Sequence, residues 1–303
     1  MNYRKLGKTG LMVSANNNAG GTAMEFITLN NGVKMPKLGF GLFMIPNDET
    51  ERCVLDAIGA GYRLIDTAQA YGNEEGVGKA IVNCGLAREE LFITTKIWIS
   101  NNGYEKAKAS IEESLRKLKT DYIDLMLIHQ PFGDYYGTYR AMEEAYKAGK
   151  LRAIGVSNFY PDRFIDLTSF VEVKPAVNQI ETHVFHQQKT AHEYLVKYGA
   201  QHMAWAPFAE GKNGMFSNET LLAIAEKHGK TAAQIALRYL MQSDVVVIPK
   251  STHKERMEEN FNVFDFTLDE ADMQAIAALD AGNTLFFSHT DPDQVERFMF
   301  FAR

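Results

Sequence analysis

From about residue 37 the sequence repeats one pattern: a short apolar run rich in Ile, Val and Leu, then polar turn residues, then an amphipathic stretch. Eight such runs read as strands: KLGFGL, YRLID, LFITTK, YIDLMLIH, LRAIGVS, PAVNQ, HMAWA and VVVIP. Between them, residues 49–60, 74–84, 104–118, 138–148, 187–198 and 231–241 have helical spacing. Strands apolar on both faces, each followed by a helix, form a parallel sheet covered by helices. A doubly wound sheet would satisfy that pattern too. Eight similar units without an interrupting linker favour closure, so the expected fold is α/β, a (β/α)8 TIM barrel.

The remaining segments fit around a barrel spanning residues 24–303. Asn31-Gly32 between strand-like residues signals an N-terminal hairpin that caps the lower mouth. Two extra C-terminal helices are expected near 252–260 and 268–280, and the tail NTLFFSHTDPDQVERFMF is placed to pack over the upper mouth. Residues 1–23 read as a separate N-terminal extension. In it RKLGKTGLMVS resembles a further hairpin and NNNAGG a flexible linker; either the extension is disordered and Met24 after it is the functional start, or it is an ordered addition to the fold.

The charge of −6 comes from interspersed acids and bases, and no Lys/Arg run is long enough to track a phosphate backbone, so nucleic acid is not an expected partner. Polar residues interrupt LMVSANNNAGG, which therefore cannot serve as a signal peptide's apolar segment. Apolar runs such as DLMLIH are too short to span a bilayer. A cytoplasmic protein is expected, with Cys53 and Cys84 reduced and structural.

Barrels of this kind carry their chemistry at the C-terminal ends of the strands. Polar residues stand at nearly every such end: Asp66, Lys96, His129, Ser157 with Asn158, Gln179, and Lys250 with Ser251; the seventh strand ends in Trp205. A lone Asp or Asn there is ordinarily a turn residue or helix cap. A Lys directly behind an apolar strand is costly to bury alone, and Asp66 on the neighbouring strand is its natural partner.

Taken in order, DTAQAYGNE, LFITTK, LMLIHQP, AIGVSNF, VNQIE, IPKS followed by RMEEN, and VFDF resemble the aldo-keto reductases, from about residue 25 to the end. HQPFGD and FFSHTDP are most similar to the bacterial branch that includes 2,5-diketo-D-gluconate and methylglyoxal reductases. The resemblance implies Asp66, Tyr71, Lys96 and His129 as a catalytic tetrad for NADPH-dependent reduction of carbonyls. That assignment is chemically coherent. A carbonyl accepting hydride develops negative charge on oxygen, which a tyrosine hydroxyl can protonate, a lysine can stabilise and a histidine can orient. Lys96 is expected to ease ionisation of Tyr71.

The resemblance also implies Ser157, Asn158 and Gln179 as ligands of the nicotinamide carboxamide, with Trp205 stacking where relatives usually have Tyr. Lys250, Ser251 and Arg256 match positions around the adenosine 2′-phosphate, and Glu259 and Asn260 those around the adenine. Two cations and a hydroxyl suit a phosphate dianion, favouring NADPH (NADP+) over NADH. No GxGxxG follows a strand. Gly7-Lys8-Thr9 and Gly229-Lys230-Thr231 lack the leading glycine of a phosphate loop. His183, His186 and His192 have no ligand partner at metal spacing and read as loop and helix surface residues, so no metal is expected.

Two departures bear on substrate. Phe43 and Gln130 stand where many relatives carry Trp, so the pocket, with His129 and Phe132, is expected to be more polar, suiting 2-oxoaldehydes and keto-sugar acids. A small-molecule carbonyl is the expected partner of a chain expected to act as a monomer, although nothing in the sequence bars an oligomer. The competing readings are an NADPH-binding regulatory subunit with little turnover and a barrel enzyme of unrelated chemistry.

Overall fold

The computed structural model describes residues 3–6, 11–14 and 24–302. Strands β1 (Tyr3–Leu6) and β2 (Leu11–Ser14) pair antiparallel, as the opening hairpin pattern anticipates. The expected NNNAGG linker and Gly7-Lys8-Thr9 lie outside the described residues. A second antiparallel pair, β3 (Phe26–Thr28) and β4 (Lys34–Pro36), turns through Asn31-Gly32, where Gly32 takes a φ of +85°.

Eight parallel strands follow: β5 (Gly39–Gly41), β6 (Leu64–Asp66), β7 (Phe92–Ile97), β8 (Leu125–Ile128), β9 (Ile154–Ser157), β10 (Val177–Glu181), β11 (Gln201–Trp205) and β12 (Val246–Val247). They pair in sequence order. The first and last meet through a parallel Leu38–Val247 bridge, with Val247 N donating to Lys37 O and Gly41 N to Pro249 O, each at 3.0 Å. The chain is thus a (β/α)8 barrel; five of the expected strands lie inside their predicted runs, while β7, β10 and β11 overrun theirs by one or two residues, to Ile97, to Glu181 and back to Gln201. Closure at this seam depends on Gly41, because a Cβ there would stand 2.7 Å from the Ile248 carbonyl oxygen.

Around the strands lie α1 (Asn47–Ala60), α2 (Glu74–Asn83), α3 (Tyr104–Leu118), α4 (Tyr135–Lys147), α5 (Pro161–Phe170), α6 (Lys189–Lys197), α7 (Glu219–His228) and α8 (Ala232–Gln242). Helices α9 (Lys254–Phe261), α10 (Glu270–Ala277) and α11 (Pro292–Phe301) complete the chain. Helix α4 begins three residues before its apolar periodicity suggests, because the Asp134 side chain accepts from Gly137 N at 2.8 Å and caps it. Helix α11, in the tail, starts with Asp291 as cap and Pro292 in its first turn.

The hairpin closes the lower mouth. Leu29 and Met35 pack with Leu64, Phe92, Leu125, Met203 and Val246 in one buried cluster at the strands' N-terminal ends. Asn30 and Asn31 tie the hairpin to the loops ahead of β10 and β9 by donating to Pro175 O and Arg152 O. Cys53 is buried in α1 and Cys84 half-buried after α2, and both are free thiols. No helix among the described residues is long and apolar enough to cross a membrane.

Candidate active site

At the opposite mouth, the ends of β6, β7 and β8 bring Asp66, Lys96 and His129 together. Lys96, fully buried, donates to Asp66 Oδ1 at 2.5 Å and to the Thr67 carbonyl at 2.9 Å. The other Asp66 oxygen accepts from Gln179 Nε2 at 2.8 Å, an acceptor-only arrangement that suits a carboxylate. Tyr71 sits on a short turn after β6 that Gly72 ends at φ +66°. Its hydroxyl lies 3.4 Å from Lys96 Nζ, and its ring meets Phe43 at 5.3 Å and the edge of His129 at 5.7 Å.

That turn is braced on both sides. Gln69 Oε1 accepts from Trp98 N and Asn101 Nδ2, while its Nε2 donates to Ser114 Oγ and Ser110 O. Asn73 accepts from Thr67 Oγ1 and donates to Leu42 O and Ile45 O. Glu74 accepts from Thr95 Oγ1, next to Lys96. The polar residues of DTAQAYGNE therefore hold the position of Tyr71.

Burial dominates the electrostatics of this corner. It pushes the Tyr71 hydroxyl above its ordinary value, with Lys96 pulling the other way without overcoming it. The expectation that Lys96 eases ionisation is right about its influence and wrong about the net direction, because desolvation of the phenolate is larger. For Lys96, burial works against the ammonium, but Asp66 and Tyr71 together hold its pKa above the ordinary value. Burial also raises Asp66, against Lys96 and Gln179. His129 is held well below its ordinary value by burial, then by Lys96 and His289, so its ring is neutral; its Nδ1 is buried without a partner among the described residues.

The residues matched to the carboxamide and ring of a nicotinamide form one connected group. Ser157 Oγ donates to Gln179 O, Asn158 Nδ2 to His129 O at 3.1 Å, and Trp205 Nε1 to Asn158 Oδ1 at 2.8 Å. Asn158 is in the left-handed region at φ +64°, where Asn is better tolerated than most residues. Lys250 and Ser251 follow β12, while Arg256, Glu259 and Asn260 ride on α9 at helical spacing. Lys250 and Arg256 are exposed and in no ion pair among the described residues. Glu259 accepts from Thr231 Oγ1, and Ser251 and Asn260 are buried.

The tail crosses this mouth. Thr284 Oγ1 and Leu285 N donate to the two oxygens of Glu181, and Phe286 meets Trp205 edge-on at 5.2 Å. Phe298 and Phe301 of α11 pack on Trp98, itself 5.1 Å from the His129 ring. Gln130 is buried, and its Oε1 is turned to His289 Nε2 of the tail at 2.8 Å. Its oxygen thus anchors the tail, and Phe132, Phe287 and Phe298 restore an aromatic wall around His289.

Trp98 and His289 also pack at this mouth, Trp98 on His129 and His289 on Gln130, and the sequence alone does not single them out. Trp98 was recoverable as an aromatic two residues beyond Lys96, whereas nothing local marks His289. His183, expected at the surface, is fully buried, its Nε2 bonded to Glu181. Gly229-Lys230-Thr231 ends α7 and caps α8. A cavity of about 430 Å³ opens at the lower mouth beside the hairpin but contains none of the site residues named above. Among the described residues no group of three or more His, Cys, Asp or Glu is placed to hold a metal ion.

Buried histidines make stability depend on pH. Burial holds His202 down at about 3 and His289 at about 4, below the ordinary 6.5. Below pH 6.5 the unfolded chain takes up protons that the folded one refuses until its own lower values are reached, so stability is lost as pH falls. Between pH 7 and pH 5 these two rings together remove about 4 kcal/mol. Urea unfolding at both pH values measures the loss; equal stabilities would show that the rings titrate near their ordinary value.

The sequence pattern of the aldo/keto reductase family matches residues 37–281. The chain is 48% identical over 257 residues to a glyoxal reductase of Bacillus subtilis (strain 168), covering 84% of this chain and 92% of that protein. It is 43% identical over 274 residues to methylglyoxal reductase DkgA of Escherichia coli (strain K12), covering 88% and 97%. Among solved structures, a Bombyx mori aldo-keto reductase in complex with NADP superposes with a TM-score of 0.83 at 34% identity, covering 90% of this chain and 97% of that one.

Proposed function

The chain belongs to the aldo/keto reductase family, and from that premise we propose that it reduces small aldehydes and ketones to alcohols with NADPH, Tyr71 delivering the proton. The observation that carries this reading is the Lys96 ammonium, buried against Asp66 and 3.4 Å from the Tyr71 hydroxyl. When bound, NADPH supplies the hydride. The residues present fit that cofactor: exposed Lys250 and Arg256 offer charge to its 2′-phosphate, and Trp205 offers a flat face.

Each side chain of the tetrad has a distinct part. Tyr71 is protonated at neutral pH, as a phenol with an ordinary value of 10.0 already would be and burial only reinforces, so it holds a proton for the developing alkoxide. Lys96 stabilises the phenolate left behind, and Asp66 fixes and compensates Lys96 in a site where an unpaired ammonium would be costly. Neutral His129 directs a ring nitrogen at the carbonyl oxygen and orients it.

Small oxygenated carbonyls, 2-oxoaldehydes first and keto-sugar acids second, are the proposed substrates; relatives named for glyoxal and methylglyoxal reduction support the first. The protein is proposed to act as a cytoplasmic monomer whose catalytic domain spans residues 24–303. NADPH consumption followed by absorbance, with methylglyoxal, a keto-sugar acid and a long aromatic ketone, tests this. Methylglyoxal is expected to turn over fastest, and NADPH to outperform NADH by about tenfold or more in kcat/KM, the value of a charge-assisted contact to the 2′-phosphate. Faster turnover of the aromatic ketone would overturn the substrate class. NADPH binding without turnover of any carbonyl would favour a regulatory subunit.

A further inference from the structure

A chain of polar side chains runs from Trp205 through Asn158 and Gln130 to the tail. Trp205 Nε1 can only donate, so the Asn158 atom 2.8 Å from it is the oxygen. The Asn158 nitrogen then faces the His129 carbonyl at 3.1 Å, Ser157 Oγ at 3.2 Å and Gln130 at 3.5 Å. Gln130 turns its oxygen to this nitrogen as a third, longer acceptor, and His289 Nε2, 2.8 Å from that same oxygen, is then the donor of the pair. One acceptor is shared unequally between a tail histidine and the asparagine beside the nicotinamide position.

His289 is rigidly held for this task. It is buried, lies nearly parallel to Phe298 at 5.8 Å and is stacked on Phe132 at 6.0 Å; Tyr160 meets its edge, and its backbone N–H donates to Tyr160 Oη. Without the imidazole N–H, the Gln130 oxygen would keep Asn158 as its remaining donor and draw that amide away from His129 O and Ser157 Oγ. We propose that His289 is a positioning residue for cofactor binding: through Gln130 it fixes the rotamer of Asn158, and with it Trp205, so that docking of the tail prepares the nicotinamide pocket. The proposal rests on the reading that Asn158 and Trp205 receive the nicotinamide.

The test compares His289→Leu, which keeps bulk but removes the N–H, with His289→Gln, which retains a donor of similar reach. NADP+ affinity is read from intrinsic tryptophan fluorescence, and kcat and KM for NADPH with methylglyoxal. The Leu variant is expected to weaken NADP+ binding and raise KM for NADPH by about three- to tenfold, the worth of one hydrogen bond, with kcat within about twofold. The Gln variant is expected to restore both. Unchanged affinity in the Leu variant, or equal impairment in both, would show that the ring only packs and would overturn the proposal. If the Leu variant does not fold, His289→Phe, which keeps the ring stack and also lacks the N–H, takes its place with the same expected weakening of NADP+ binding, and unchanged affinity there would overturn the proposal. A wild-type protein that binds NADP+ but reduces no carbonyl defeats the reductase reading, while the affinity comparison still decides this one; one that binds no NADP+ overturns both.

Discussion

Replacing Tyr71 with Phe is expected to lower kcat for carbonyl reduction about a thousandfold while leaving NADPH affinity within about twofold, since a positioned general acid contributes roughly 100- to 10,000-fold. The substitution removes one oxygen and little else. The ring keeps its contacts with Phe43 and His129, and the turn carrying it is braced by Gln69, Asn73 and Glu74 rather than by the hydroxyl. No neighbour can take over the proton. Lys96 is held as an ammonium by Asp66, and neutral His129 would become an imidazolate if it gave up its hydrogen. Single-turnover reduction of methylglyoxal with pre-bound NADPH measures the chemical step directly. A loss below about tenfold would move proton delivery to solvent.

Local pattern was enough to place three of the four side chains that meet at the upper mouth. Asp66, Lys96 and His129 are legible because each ends an apolar run, and the barrel rule then says which way they face. Tyr71 needed the surrounding DTAQAYGNE motif, since its place depends on a braced turn rather than on periodicity. The cost of desolvation was harder to see. Lys96 beside Tyr71 suggests an easier ionisation, yet the net shift is upward, because burial depends on how eight strands and a tail enclose the site. The tail's part was invisible for a related reason: Gln130 and His289 are 159 positions apart, and no spacing rule connects them. His183 was misread although a signal existed. Glu181 stands two residues before it, the spacing that puts neighbours in an extended chain on one side, and the two are hydrogen-bonded at 2.9 Å.

The Asp66–Lys96 pair allows stability and catalysis to be separated. Lys96→Met removes the ammonium but leaves Asp66 buried with Gln179 as its remaining partner, so unfolding free energy is expected to fall by about 3–5 kcal/mol, the cost of breaking a buried ion pair from one side. Activity should fall by at least about a hundredfold, because the phenolate left after proton transfer loses its counter-charge. Adding Asp66→Asn removes the stranded carboxylate, and most of the lost stability should return; the two groups touch, so their effects are not additive. Catalysis should not return with it, since neither neutral side chain replaces the cation beside Tyr71. Urea unfolding and kcat, measured on the wild type, both single variants and the double variant, complete the cycle. If kcat recovers in step with stability, Lys96 serves the fold alone and proton delivery by Tyr71 does not depend on it; if stability returns while kcat stays low, the buried charge is there for the chemistry.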